Sequence, residues 1–443
     1  MPGITEQHLS EYKRIYRDTA GPVEVNFREL VPELNVRERY THFIHSYPAK
    51  LLAHIPYYFL QSDLICPFTG KVLDPFCGTG TVALESILSG RDCYNADANP
   101  LARLIAQVKT TYIPEEVLLK NLEWVIAKAK HYSENENSKD ELVDRWFSVS
   151  TLRQLDAIES AIGSLKDDIV KKFFQVSFSS VVKKVSFADP TISVPVKLNP
   201  ERFQGERKSA TEFRLKTLQD VDVFEVFEST SKLNIVRVGK LKDIRSCSDI
   251  ISADARTLTA KLDSFEMLAD SSVDLVLTSP PYAGAQKYIR SSWLNLFWLG
   301  TKESEEIRKL NSKNIGREDY HKSDIYKVET GIEAADKVIA ELYDSGKKER
   351  SFIVGNYLLE MQCALIESIR VLRPGGKMVI VIGNNTVCGR PFDTQEYITT
   401  YLESKGLKTM FKLIDDIKSC GLMTKRNKTA SRITREWVLV FEK

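Results

Sequence analysis

Residues 71–99, KVLDPFCGTGTVALESILSGRDCYNADAN, constrain the fold more tightly than any other part of the chain. The apolar run KVLD reads as a short strand, a glycine-rich turn follows, and TVALESILSG carries its apolar residues at helical spacing. RDCYNADAN reads as a second strand and PLARLIAQVKTTYI as a second helix. Strand, helix, strand and helix in immediate succession imply a parallel sheet with right-handed crossovers, because parallel neighbours are joined across a face of the sheet. Gly78 and Gly80 let the chain turn sharply at the strand end and approach a ligand closely, since a Cβ at either position would fill the ligand's volume.

The alternation then stops. Residues Pro114 to Lys130 read as an amphipathic helix, HYSENENSKDELVDR is a polar break, and helical patterning resumes from Ser150 to Val185. After Pro190 the alternating stretches VDVFEVFEST and LNIVRVGKL read as strands. Strand and helix alternate again in IISADA, SVDLVLTSPPY, NYLLEMQCALIESIRVL closed by RPGG, KMVIVIGN and the final TREWVLVFEK. A charged, mostly helical stretch at about 301–350 is a second, smaller insertion. The expected organisation is one α/β core split over 1–112 and 247–443, with 113–246 inserted between its halves.

Composition narrows the function classes. Apolar residues at 43% and charged residues at 28% exclude a disordered or fibrous chain. No run reaches the ~18 apolar residues of a membrane span, and the polar start MPGITEQHLSEYKRIYRD lacks a signal-peptide apolar region, so a cytoplasmic protein with no membrane partner is expected. The seven cysteines are scattered, with no CxxC pair and no histidine cluster, so no metal is expected. Basic and acidic side chains nearly cancel, 62 against 60, so contact with nucleic acid would need a local basic face. Lys418 to Arg435, which holds no acidic residue, is the best candidate; Lys197 to Lys216 mixes Arg202, Arg207, Lys208 and Arg214 with glutamates and suits a solvated loop equally well.

The motif DPFCGTG sets Phe76, Gly78 and Gly80 in an FxGxG arrangement after Asp74, and Asp97 ends the next strand, where a carboxylate can accept hydrogen bonds from two ribose hydroxyls. A nucleoside-type ligand follows. A dinucleotide would prefer GxGxxG, and position 83 is Ala, which some variants tolerate; a phosphate-binding loop would need GK[ST], which is absent. DPFCGTGT with NADANP resembles the cofactor motifs of amino-directed DNA methyltransferases, and THFIHSYPAKLLAHIPYYFL resembles the segment that precedes the loop in such enzymes. The resemblance implies a Rossmann-like methyltransferase fold, a mostly parallel seven-stranded sheet with flanking helices and an inserted target-recognition region. It implies S-adenosyl-L-methionine as cofactor, with Phe76, Gly78 and Gly80 at its methionine end, Asp74 among the cofactor-binding residues, Asp97 on the ribose, His45, Pro48, Ala49 and Lys50 closing the pocket, and Asp254 of SADAR near the adenine amino group.

The apolar strand VDLVLT runs straight into Ser279, Pro280, Pro281 and Tyr282. Two prolines fix φ and remove two donors, leaving carbonyls that no internal hydrogen bond uses. A base amino group is a poor nucleophile while its lone pair is delocalised into the ring. Acceptors that hold its hydrogens favour a tetrahedral nitrogen; the Ser279 hydroxyl and Pro280 carbonyl suit this, and Tyr282 offers a face for a flipped base. SPPY alone also suits a strand end without chemistry, but here it accompanies FxGxG and a correctly placed acid. It resembles the [DNS]PP[YFW] signature of methyltransferases acting on adenine N6 and cytosine N4, and the TSPPY form points to cytosine N4, with adenine N6 the close alternative. Methylation at cytosine C5 needs a Pro-Cys nucleophile, which the chain lacks.

Of the aromatic residues that follow, Trp293, Phe297 and Trp298 read as core and Tyr288 as a wall of the base pocket. The implied partner is double-stranded DNA, read by the 113–246 insert, and family analogy adds a cognate restriction endonuclease. Two other readings stand beside this one. A guanine-N2 RNA methyltransferase has similar needs but usually carries Asp in place of Ser279 and an N-terminal RNA-binding domain, and a non-catalytic nucleic-acid-binding subunit would not need all three motifs intact.

Overall fold

The computed structural model describes residues 2–47, 50–132, 141–283, 288–417 and 434–443. Its ten strands, among the described residues, are β1 (Val23–Val25), β2 (Lys71–Asp74), β3 (Asp92–Ala96), β4 (Ser248–Ser252), β5 (Val273–Thr278), β6 (Leu372–Ile382), β7 (Asn385–Val387), β8 (Arg390–Phe392), β9 (Lys408–Asp416) and β10 (Arg435–Glu442). Eight of them form one sheet in the order β1-β9-β10-β6-β5-β2-β3-β4, and β7 and β8 form a hairpin beside it. Every neighbour pair in the large sheet is parallel except those made by β10, which runs against both β6 and β9. This is the Rossmann-like α/β fold the pattern implies, with one correction: the sheet has eight strands rather than seven. The extra strand, β1, is a three-residue edge paired with β9, too short to leave a periodicity.

The strand order places the site. From β2 the chain steps outward to β3 and β4, then returns to the other side of β2 to make β5 and β6. The carboxyl ends of β2 and β5 therefore flank the point where the winding reverses, which is where open α/β sheets bind ligands. Both strands are covered on both faces, so VDLVLT is almost continuously apolar and Leu275, Val276 and Leu277 are wholly buried.

The insert corrects a second expectation. VDVFEVFEST and LNIVRVGKL do not form strands; they belong to one helix, Val223–Gly239. The local alternation of VDVFEVF imitates period two. Over the longer span the buried residues Val223, Phe227, Thr230, Asn234 and Val238 recur every three or four positions and form a single helical stripe. Asp222 caps the helix, its carboxylate accepting from Phe224 N and Glu225 N at 2.8 and 3.2 Å, an interaction worth about 1 kcal/mol. Helices Glu115–Tyr132, Val149–Gly163, Asp168–Val182 and Glu206–Gln219 complete the insert's longer elements.

These helices do not hang from the core on a tether. One buried cluster joins Leu118, Phe173, Phe178 and Phe227 of the insert to Leu101 and Ile105 of the helix Pro100–Lys109 and to Leu294 and Trp298 after the SPPY segment. Aromatic edges seal the junction: Trp146 meets Trp293 at 5.6 Å between centroids, and Phe147 and Phe178 each meet Trp298 at 6.1 Å. Phe297 and Trp298 are therefore core residues, as their spacing implies. The 301–350 segment holds helices Ser304–Ser312 and Glu333–Asp344. The helix that follows, Lys348–Val371, is long and apolar enough to cross a membrane by length and composition, yet its Tyr357, Leu358, Met361 and Ala364 are buried against the sheet.

Candidate active site

The site is built on the two strand ends at the switch point. The Thr278 hydroxyl, last in β5, donates to Asp74 Oδ1, last in β2, at 2.6 Å. One buried hydrogen bond thus ties the SPPY segment to the FxGxG loop. Burial pushes the Asp74 carboxyl up to about 7, against the hydrogen bonds from Thr278 and the Phe76 N–H that oppose the shift. Asp74 is buried at the base of the loop, with Phe76 partly buried beside it.

Gly78 and Gly80 both have left-handed backbone, φ +49° and +70°, but they have different neighbours. A Cβ on Gly78 would meet nothing within 4 Å and points into open space, as a ligand cradle requires. A Cβ on Gly80 would come within 2.9 Å of Ala106 Cβ and 3.0 Å of its Cα. A side chain at Gly80 is thus excluded by the helix Pro100–Lys109 already in the free protein, whereas at Gly78 the free protein leaves the space open.

Asp97 lies just past β3, its carboxylate aimed by two backbone donors, Gly78 N at 2.9 Å and Asn99 N at 2.8 Å. A carboxylate has about four acceptor positions, so two remain for the vicinal hydroxyls of a ribose. Burial raises its affinity for a proton, and the two N–H groups oppose this. Beside it Asn99 does three jobs that the sequence does not announce. Its Oδ1 caps the helix at Leu101 N (3.1 Å), and its Nδ2 donates to Tyr47 Oη (2.9 Å) and to Ser292 Oγ (3.1 Å). The N-terminal segment, the ligand loop and the helix Tyr288–Phe297 meet on this one amide.

The segment before the loop is clamped from two sides. Glu85, fully buried in the helix Thr81–Leu88, accepts from Arg39 Nε and Nη2 at 2.8 and 2.6 Å and contacts His42 Nε2 at 2.6 Å. Burial opposes ionisation of this carboxyl, yet the hydrogen bonds from His42 and Arg39 hold it below the usual range. On the other side His45 Nε2 contacts Ser179 Oγ of the insert at 3.1 Å, while Ser180 Oγ and Asn234 Nδ2 donate to the Ile44 carbonyl at 3.3 and 3.1 Å. Burial takes His45 down to about 3, so the ring is neutral. Lys50 donates to the His42 and His45 carbonyls at 3.2 and 2.5 Å, and burial lowers its ammonium to about 8. Pro48 and Ala49 lie outside the described residues.

Asp254 follows β4 on the same edge of the sheet, but its carboxylate faces Arg256 Nε and Nη2 at 2.9 and 2.8 Å. Arg256 also reaches Glu360 at 3.3 Å. An adenine amino group would have to share Asp254 with Arg256, the arginine that closes the SADAR motif.

Ser279, Pro280, Pro281 and Tyr282 leave β5 at the sheet's carboxyl edge. The Asn385 amide donates to the Ala283 carbonyl at 2.6 Å and fixes the segment's far end. Tyr282 Oη donates to Glu436 Oε1 of β10 at 2.8 Å, and burial raises the Glu436 carboxyl above its usual range. Glu436 is a site residue with no motif around it: it arrives only because β10 runs antiparallel and delivers its first residues to this edge. Tyr288 lies within electrostatic reach of Tyr47 on the ligand side and Tyr282 on the SPPY side, between the two motifs.

Of the two basic stretches, residues 418–433 lie outside the described residues, and Arg435 is paired with Glu24 and Asp416 at 3.2 and 2.9 Å. In the other, Lys208 pairs with Glu201 at 2.9 Å and Arg207 stacks on Phe203 at 4.7 Å. Among the described residues no group of three or more His, Cys, Asp or Glu is placed to hold a metal ion.

No family model matches the chain. The Type II methyltransferase M.MvaI of Kocuria varians is 24% identical over 366 residues, 78% of this chain and 77% of its own length. A Thermus thermophilus protein assigned as a DNA modification methylase and solved with S-adenosyl-L-methionine is 20% identical over 40% of this chain and 49% of its own, with a TM-score of 0.20. The rRNA methyltransferase aviRa of Streptomyces viridochromogenes is 12% identical over 94% of this chain and 96% of its own, with a TM-score of 0.31. The fold assignment therefore stands on the strand order itself.

Proposed function

We propose that this chain is an S-adenosylmethionine-dependent DNA methyltransferase acting on the exocyclic amino group of a base flipped out of the duplex, with cytosine N4 as the acceptor. The observation that carries the reading is the Thr278–Asp74 hydrogen bond at 2.6 Å, which holds the FxGxG and SPPY segments side by side at the switch point of the sheet. A methyl donor on one strand end and a base on the other would then be neighbours. The similarity to a Type II methyltransferase over most of both chains supports the same class.

The residues fit the cofactor. Gly78 leaves open space over the loop, Asp97 keeps two acceptor positions for the ribose, and Tyr47, held by Asn99, stands beside Asp97. When bound, S-adenosylmethionine supplies an electrophilic methyl on a sulfonium and would leave as the neutral thioether S-adenosylhomocysteine; the methylated nitrogen is acidic enough to release its surplus proton to water, so no general base strong enough to ionise an amine is needed. Ser279 Oγ and the Pro280 carbonyl would accept the amino hydrogens, drawing the nitrogen toward tetrahedral geometry, and Tyr282 would present its ring to the base. In-line placement then contributes the larger part of the acceleration, on the order of several kcal/mol. Ser279, rather than the Asp usual in guanine-N2 RNA enzymes, and the TSPPY form together favour cytosine N4.

Nucleoside mass spectrometry of DNA and RNA from cells expressing the protein tests the proposal. N4-methylcytosine in DNA is the expected product, N6-methyladenine would keep the class and change the acceptor, and methylation of RNA alone or of neither would refute the reading.

A further inference from the structure

Helix Pro100–Lys109 ends in a lysine that is wholly buried, and among the described residues its ammonium has no hydrogen-bond acceptor. An unpaired buried ammonium is among the costlier things a fold can retain, because desolvation of the ion goes uncompensated. Burial accordingly pushes its pKa well below the ordinary lysine value, and the nearby charge of Lys50 adds to the shift.

The position of Lys109 gives the cost a purpose. One turn before it, Ala106 abuts Gly80 of the ligand loop, and the Lys109 carbonyl accepts from Thr41 Oγ1 of the N-terminal segment at 2.6 Å. Cys77 of the loop, Glu85, Lys50, His42 and His45 lie within electrostatic reach of the ammonium. Glu85 is the carboxylate among them, and both of its oxygens are already held by Arg39 and His42 rather than by the ammonium. Two more buried polar atoms lack partners among the described residues: Thr79 Oγ1, next to the Gly80 that abuts Ala106, and Nδ1 of His45, which lies within electrostatic reach of Lys109. Lys109, Thr79 and His45 thus each keep a buried polar atom that finds no partner among the described residues, close to the ligand loop and the segment before it.

We propose that Lys109, assisted by Thr79 Oγ1, receives the α-carboxylate at the amino-acid end of the cofactor, an inference that rests on the methyltransferase reading above. A carboxylate there would complete the ion pair that the ammonium lacks among the described residues, and the nucleoside would extend from it toward Asp97. Lys109 is then a binding residue that no motif marks: it ends a helix whose sequence, PLARLIAQVK, otherwise reads as pure packing.

Calorimetry with two ligands separates this role from a structural one. S-adenosylhomocysteine carries the amino-acid tail; 5′-methylthioadenosine keeps the nucleoside and thioether without it. Lys109→Met should weaken S-adenosylhomocysteine binding by about tenfold to a hundredfold, the loss of one charge-assisted hydrogen bond, and leave 5′-methylthioadenosine binding unchanged. The variant should fold at least as stably as the wild type, because it removes an unpaired buried charge, and thermal unfolding checks that. Equal weakening of both ligands, or of neither, overturns the assignment of Lys109. Failure of the wild-type protein to bind either ligand instead overturns the methyltransferase reading and removes the basis of this one.

Discussion

The two glycines of the ligand loop make the sharpest test, because the structure assigns them different work. Both have left-handed φ, so alanine at either position costs roughly 1–2 kcal/mol in backbone strain. At Gly78 that is the whole cost to the free protein, since the new methyl would meet nothing within 4 Å. At Gly80 the methyl would press on Ala106 Cβ at 2.9 Å, backed by the Cα of the same helix at 3.0 Å, where neither atom can swing away. Overpacking of that kind adds about 1–3 kcal/mol, for a total of roughly 2–5 kcal/mol. With cofactor present the order reverses. Gly78→Ala puts a methyl group into the space left for the ligand, and about 1–3 kcal/mol of crowding weakens binding by about fivefold to a hundredfold. Urea unfolding of the free variants and calorimetry with S-adenosylmethionine read the two quantities separately. Unchanged affinity in Gly78→Ala, or equal stability of the two variants, would refute the division of roles.

Other outcomes follow from the same geometry. Ser279→Ala should slow single-turnover methyl transfer by about 1–3 kcal/mol while cofactor affinity holds, the signature of an acceptor used only on the reacting amine. Tyr282→Ala should cost about 1–3 kcal/mol in stacking plus lost positioning; Tyr282→Phe keeps the ring but strips Glu436 of its donor, so unfolding experiments should show a loss of about 1–3 kcal/mol in stability. Asp74, raised by burial to about 7 from an ordinary 3.8, keeps its proton in the folded state while the unfolded chain loses it, so stability should fall as pH rises from about 4 to 7 and level off above. Asp74→Asn should flatten that slope in urea titrations at pH 5 and pH 8, and an unchanged slope would show that another group titrates. Exchanging the outer helices of the 113–246 insert with those of a relative of different specificity should move the methylated sequence, and a hybrid retaining the original site would exclude the insert as the reader of DNA.

What can be read from the sequence and what cannot divide along a physical line. KVLDPFCGTG and VDLVLTSPPY announce themselves because strand, turn chemistry and site residues are contiguous, and the structure sets them side by side. Glu436, Thr278 and Asn99 act through partners between 50 and 210 positions away in sequence, and such pairings appear only once the strand order brings them together. Gly80 is legible as a residue that tolerates no side chain, but whether ligand or helix excludes that side chain is a question of neighbours. The helix Val223–Gly239 hides behind a short local alternation that outweighs a stripe spread over nearly five turns, although Asp222 at its start is the N-cap that favours a helix.

The way the insert joins the core limits how it can serve recognition. Its helices Asp168–Val182 and Val223–Gly239 send Ser180 and Asn234 to one carbonyl, that of Ile44, which occupies both of its lone pairs. Ser179 holds His45 and is itself held by the Asn295 amide, at 2.9 Å to its Oγ and 2.7 Å to its carbonyl. All of these groups are buried, so breaking any one strands a polar atom at about 1–3 kcal/mol. The inner face of the insert is thus part of the wall that positions the N-terminal segment against the ligand loop. Only the outward helices, such as Glu206–Gln219 with its exposed Phe213, are free to vary without disturbing that wall. A DNA-reading surface on the insert would therefore be mechanically continuous with the proposed cofactor pocket, through Ile44 and His45 on one side and Trp298 and Asn295 on the other.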